Sequence, residues 1–213
     1  MAVKKRSQKK SARKPARPAR KAAKKRGKAA AAKASAKTRA AKKGKKKTAR
    51  AARDDAPDSL LHEGSKAPAF SLDDQSGKNV SSRDLAGEPY VLYFYPKDDT
   101  SGCTIEACDF RDRAQPFKAA GVRVIGVSPD GVASHARFAG KFGLQFSLLA
   151  DEQRKLANDY GVWVLKKNYG KEYMGILRST FLVDGRGVVR RAWRGIRAQD
   201  HAAAVLAEAQ RLA

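Results

Sequence analysis

Tyr90-Val91-Leu92-Tyr93-Phe94-Tyr95-Pro96 leads directly into Lys97-Asp98-Asp99-Thr100-Ser101-Gly102-Cys103, and this junction decides how the chain folds. A continuous apolar and aromatic run that stops at a proline reads as a strand buried on both faces. That burial arises when helices cover both sides of a sheet. Beyond the Lys97–Gly102 loop, Cys103, Ala107, Phe110, Ala114 and Phe117 recur at i, i+4, i+7, i+11 and i+14, a single apolar stripe along a helix. Pro116 should bend or interrupt the end of that helix, and Gly121 should close it. Val122-Arg123-Val124-Ile125-Gly126-Val127 then reads as another strand. Strand, helix and strand at this spacing make a crossover unit, hence two parallel strands.

Working outward, Ala67–Leu72 and Asn79-Val80 read as short edge strands around a Ser76-Gly77 turn. Downstream, a helix is expected near Val132–Phe142, a strand near Phe146–Leu149, a helix near Glu152–Tyr160 and a strand near Val162–Leu165. Strands near Leu177–Val183 and Val188–Trp193 are joined by the Asp184-Gly185-Arg186-Gly187 turn and should pair antiparallel. An amphipathic helix near Gln199–Leu212 ends the chain. The expected fold class is α/β, with one central mixed sheet flanked by helices.

Charge separates this body from what precedes it. Residues 1–53 hold 24 of the 46 Lys and Arg, while all 21 acidic residues lie at or after Asp54. The remaining 22 basic residues face those 21 acids, so the net +25 belongs almost wholly to the N-terminal tail and the rest carries +1. From Ala2 to Ser59 there is one Val and no Leu, Ile, Phe, Trp or Tyr. Such a segment buries too little apolar surface to offset its chain entropy, so residues 1–58 are expected to be a disordered basic tail. Residues 59–213, about 155 in number, are enough for one sizeable core. The expected tail partner is nucleic acid, bound through residues 1–53, because a flexible polycation displaces counterions from phosphates without reading sequence. A solvated arm without a partner and a transit peptide are the alternatives. The latter is usually richer in Ser and Arg and amphipathic.

No apolar stretch approaches the ~20 residues that a membrane span needs, and none follows the basic start as a secretory signal would require. The two cysteines, Cys103 and Cys108, do not make a disulfide framework for a secreted scaffold, so a reducing intracellular compartment is expected. A cytoplasmic location, with the nucleoid or the nucleus as the place where a nucleic-acid-binding tail would act, follows from that. Two Cys and three separated His (His62, His135, His201) give no closely spaced metal-ligand set.

Cys103 follows a core strand and a loop, in the first turn of a helix, where backbone amides lack intrahelical acceptors and favour an anion. Glu106 opposes that effect, so a further cation should lie nearby. Cys108 stands five residues on, a rise of ~7.5 Å and a turn of ~140° in an intact helix. A disulfide wants its Cα atoms within about 7 Å with converging Cβ vectors. The two sulfurs can therefore bond only if the first turns of the helix melt. The bland alternative is that each cysteine is a small buried side chain.

Pro96-Lys97-Asp98-Asp99-Thr100-Ser101-Gly102-Cys103 resembles the Pro-x-x-x-Thr-x-x-Cys active-site pattern of the peroxiredoxins. The continuation Thr104–Asp112 and the distant stretch Tyr169–Asp184 are similar to the bacterioferritin comigratory protein, or peroxiredoxin Q, branch. The similarity runs from about residue 60 to the C-terminus and excludes the tail. It implies a thioredoxin-like fold and a peroxidase that reduces hydrogen peroxide and organic hydroperoxides. It further implies thioredoxin as reductant and no metal or organic cofactor. By the resemblance, Cys103 is the peroxidatic cysteine and Cys108 the resolving one in the same subunit. Thr100 hydrogen-bonds thiolate and peroxide, Pro96 shields the site, and Arg178 supplies the cation. An intramolecular resolving cysteine removes any chemical need for a dimer, so a monomer is expected. The tail is similar in composition to those of linker histones.

Taken singly, Thr100 would be a helix cap, Arg178 a surface arginine, His135 an exposed helix residue, and Trp163, Trp193, Tyr93 and Tyr95 packing. Two other functions compete with the peroxidase. One is a nucleic-acid-associated architectural protein whose body is a redox sensor. The other is a general dithiol oxidoreductase, which the Cys-x4-Cys spacing disfavours against Cys-x-x-Cys.

Overall fold

The computed structural model describes residues 60–168 and 170–212; the basic tail and the boundary expected near residue 58 lie outside the described residues. In chain order the elements are β1 (Ser71–Asp73), β2 (Asn79–Ser81), β3 (Tyr90–Phe94), α1 (Ser101–Asp112), α2 (Ala114–Ala119), β4 (Arg123–Ser128) and α3 (Val132–Phe142). There follow β5 (Ser147–Ala150), α4 (Lys155–Asp159), β6 (Trp163–Asn168), β7 (Lys171–Ile176), β8 (Ser179–Val183), β9 (Val189–Arg194) and α5 (His201–Ala209).

Five strands form the central sheet in the order β5-β4-β3-β8-β9. β3, β4 and β5 are parallel, whereas β8 pairs antiparallel with both β3 and β9. Every residue of β3 is buried, as its unbroken apolar run requires of a strand with both faces covered. Its residues alternate between two cores. Val91 and Tyr93 point to the side where Ala107, Phe110, Phe138 and Val205 pack, so α1, α2, α3 and α5 cover that face. Tyr90, Leu92 and Phe94 point to the other, with Leu156 and Tyr160 of the α4 region. The arrangement is the expected mixed sheet flanked by helices.

Three boundaries differ from expectation. The helix carrying Cys103 starts at Ser101, inside the expected loop, and breaks at Arg113 instead of running on to Pro116. Pro116 has no N–H to give to the carbonyl four residues earlier, so the helix restarts as the short α2. The chain from 171 to 176, to which the sequence reading assigns no element, is the strand β7, paired antiparallel with β6 in a hairpin outside the central sheet. β1 and β2 likewise make a two-stranded sheet of their own. In β4, Gly126 is needed for space: a Cβ there would lie 2.7 Å from Leu148 Cδ2 and 2.8 Å from the Tyr93 ring.

Register brings distant residues to one point. β3 and β8 pair so that Phe94 lies opposite Ser179. The strand that delivers the chain to Cys103 therefore ends where the strand preceded by Arg178 begins.

Candidate active site

Thr100 holds the N-cap position of α1 with extended backbone, and the first helical bond runs from Thr104 N–H to the Thr100 carbonyl at 2.8 Å. The amides of Ser101, Gly102 and Cys103 thus have no acceptor within the helix, and no acidic side chain occupies this turn. Cys103 lies here, 2% exposed and free of any disulfide. Arg178 reaches it from just before β8: its Nη2 donates to Cys103 Sγ at 3.1 Å, while its Nη1 pairs with Glu106 Oε2. Gly102 makes room for this approach, since a Cβ on it would already stand 3.4 Å from Arg178 Nη2.

The guanidinium is 15% exposed and the Glu106 side chain fully buried, and Oε1 of that glutamate has no hydrogen-bond partner. Burial pushes the Glu106 carboxyl up to about 7, against the pull of Arg178. Burial tends to lower the Arg178 pKa, but Glu106 and Cys103 outweigh it and hold it above the usual value. His201, next to this group, is pushed down to about 4 by burial and by Arg178, so it is neutral at physiological pH; its Nε2 is 2.8 Å from Thr180 Oγ1.

The five residues singled out from the sequence fare differently. Cys103 and Arg178 meet directly. Thr100 is exposed and its hydroxyl donates to the Lys97 carbonyl at 3.1 Å, so its hydrogen is directed to the loop and not to the sulfur. Pro96 is half-buried, two residues past the end of β3. Cys108 is half-buried on the same unbroken helix, as a free thiol.

His135 requires correction. It is not an exposed helix residue but is fully buried, between Asp98, Tyr95 and the Leu149 carbonyl. The signal was present, because His135, Phe138, Ala139 and Phe142 share one helical stripe. A histidine on an apolar stripe should have been placed inside. Tyr93 and Tyr95 are core residues, and Trp163 and Trp193 pack half-buried against the two cores.

Among the described residues no group of three or more His, Cys, Asp or Glu is placed to hold a metal ion, and no helix is long and apolar enough to cross a membrane. A groove of about 810 Å³ beside α2, lined in part by Leu85, Phe117 and Phe146, includes none of the five residues above.

Residues 64–192 match the AhpC/TSA family. Peroxiredoxin Bcp of Bacillus subtilis is 50% identical over 143 residues, which span 67% of this chain and 91% of that protein. Peroxiredoxin Bcp of Escherichia coli is 42% identical over 146 residues, or 68% of this chain and 94% of that one. Among solved structures, Xanthomonas campestris peroxiredoxin Q superposes with a TM-score of 0.65 at 42% identity, covering 67% of this chain and 90% of its own. A trapped intermediate/ligand complex of the Xanthomonas campestris bacterioferritin comigratory protein, described for its alkyl peroxide reduction activity, gives a TM-score of 0.66 at 39% identity. It covers 72% of this chain and 98% of its own.

Proposed function

This chain belongs to the AhpC/TSA family as a peroxiredoxin, a thiol peroxidase; from that premise we propose that Cys103 reduces hydrogen peroxide and organic hydroperoxides, Cys108 resolves the oxidised sulfur, and thioredoxin restores both thiols. The observation that carries this reading is the 3.1 Å contact from Arg178 Nη2 to Cys103 Sγ at the start of α1. A permanently charged, planar guanidinium favours the thiolate and can also polarise the departing oxygen.

In the first step the Cys103 thiolate attacks the terminal hydroxyl oxygen of the peroxide. A sulfur–oxygen bond forms as the oxygen–oxygen bond breaks, and the sulfur is oxidised by two electrons to a sulfenic acid. The departing oxygen takes up a proton and leaves as water or an alcohol. In the second step the Cys108 thiolate attacks the Cys103 sulfur, and the sulfenic hydroxyl leaves as water. Because α1 is intact with both thiols apart, the start of the helix must unwind for this bond to form. An external dithiol then attacks the disulfide, passes through a mixed disulfide and is itself oxidised. Pro96 shields the site, and the Thr100 hydroxyl turns from Lys97 to the bound peroxide.

The test is peroxide consumption by the purified protein with thioredoxin, thioredoxin reductase and NADPH. Sustained NADPH oxidation is expected, abolished by Cys103→Ser. Cys108→Ser should instead allow one turnover and then stall with a sulfenic acid trapped by dimedone. Absence of turnover in the wild type would leave a redox-sensing body without catalysis.

Residues 1–53, with 24 Lys and Arg and no acid, are proposed to bind nucleic acid as a tail appended to a body that begins at residue 59, which acts as a monomer and places peroxide removal beside DNA. If about eight charges engage duplex phosphates, affinity should fall roughly 10³–10⁵-fold between 50 and 200 mM salt. An electrophoretic shift that survives deletion of residues 1–53, or that ignores salt, would refute this part.

A further inference from the structure

The loop between β3 and α1 is fastened from below by a buried polar cluster. Asp98, almost fully buried, accepts a hydrogen bond from Tyr95 Oη at 2.8 Å and lies 2.9 Å from His135 Nδ1. His135 Nε2 lies 3.2 Å from the Leu149 carbonyl, which can only accept. Nε2 must therefore donate. Burial tends to raise the Asp98 pKa, but hydrogen bonding and charge from His135 prevail and hold it below the usual carboxylate value. Nδ1 in turn faces both oxygens of Asp98, at 3.1 and 2.9 Å, so the ring is clamped between that carboxyl and the Leu149 carbonyl. The result is a histidine–carboxyl pair sealed in the core, tying the end of β3, α3 and β5 to a single loop residue.

The backbone of that residue is held too. Asp98 N–H donates to Asp130 Oδ2 at 2.8 Å, and Asp130 in turn is fixed by Ser128 Oγ, also at 2.8 Å. Asp99 then takes a left-handed conformation with φ 54, which turns the chain outward into Thr100 and the first turn of α1. A buried polar pair is an expensive way to fill a core, since apolar residues of similar volume often stabilise as much or more. What the pair provides is direction: it sets where residue 98 stands, and hence where the helix that holds Cys103 begins.

We propose that His135 is a positioning residue of the peroxidase reaction, which fixes Asp98, and through it Thr100 and the first turn of α1, in the geometry that holds the Cys103 thiolate against Arg178. This deepens the peroxidase reading and rests on it. His135 touches neither the sulfur nor the peroxide in this account; it acts through Asp98.

The experiment is a double-mutant cycle of His135→Gln and Asp98→Asn in the full-length chain. Readouts are the single-turnover rate constant of Cys103 with hydrogen peroxide, the ultraviolet thiolate absorbance at neutral pH, and thermal melting. Each single variant, while still folded, should react about 10- to 100-fold more slowly and lose part of the thiolate signal. The double variant should be little worse than either single one, because the two residues act as a unit. A folded His135→Gln with the wild-type rate and thiolate absorbance overturns the proposal, as do losses that simply add. Should His135→Gln fail to fold, Tyr95→Phe decides, since it deletes one donor to Asp98 and keeps the ring. A wild-type rate there overturns the proposal, and a several-fold loss with an unchanged melt supports it. A wild-type protein that does not react with peroxide refutes the peroxidase reading instead.

Discussion

One guanidinium meets two side chains at this site. Arg178 faces the Cys103 sulfur with Nη2 and the buried Glu106 carboxylate with Nη1. A lysine keeps the charge but cannot fork to both partners, so Arg178→Lys should slow peroxide reduction about 10²-fold in stopped-flow measurements. Glu106 introduces a pH dependence of definite sign. Its carboxyl is held at about 7 when folded against an ordinary value of 4.5, so the folded protein binds this proton more tightly than the unfolded chain. The associated stability is complete below 4.5 and is lost as pH rises through about 7. Thermal melts should show Tm falling across that window, with the slope flattened in Glu106→Gln; an unchanged slope would contradict the assignment. Cys103 and Arg178 were legible in the sequence because a motif spans each of them. The use of Glu106 was not, since its effect depends on burial, which a lone acidic residue in a helix does not announce.

Helix α1 is held unevenly along its length. Its first half is fastened to the rest of the body through Arg178. In its second half Asp109 Oδ2 accepts from Ala202 N–H of α5 at 3.2 Å, and Arg111 Nη1 donates to the Phe142 carbonyl of α3 at 2.7 Å. Phe110 lies between them, stacked 4.7 Å from Tyr93 and packed on Phe117 and His201. Cys108 thus sits at the edge of the anchored block. Hydrogen exchange on Cys108→Ser oxidised by one equivalent of peroxide should show amides 101–108 opening about tenfold or more faster than in the reduced protein, with 109–112 still protected. Equal exchange along the whole helix would mean that it melts as one unit. The apolar stripe made α1 visible in advance. The β7 half of the β6–β7 hairpin was not, because Leu165 and Met174 lie opposite each other yet both are exposed, so β7 shows no alternation of buried and exposed residues.

Along the chain, net charge and the cysteines are segregated: residues 1–53 hold 24 of the 46 Lys and Arg, and both cysteines come later. The parallel β3–β4 pair and the antiparallel β8–β9 pair followed from hydrophobic runs and turn residues. The antiparallel pairing of β3 with β8 did not, because it depends on contacts between segments some 90 residues apart that no local pattern encodes. A chain beginning at residue 59 should keep the melting temperature and peroxide turnover of the full protein while losing salt-sensitive retention on DNA. A loss of turnover on truncation would show that the tail takes part in catalysis. The pairing of β3 with β8 also has a temporal consequence. Arg178 reaches the sulfur from 75 positions further along the chain. During synthesis the thiol emerges long before its cation, and stays chemically unassisted until β8 has been made and laid against its neighbour. An incomplete or stalled translation product therefore carries no primed sulfur, and maturation itself arms the enzyme.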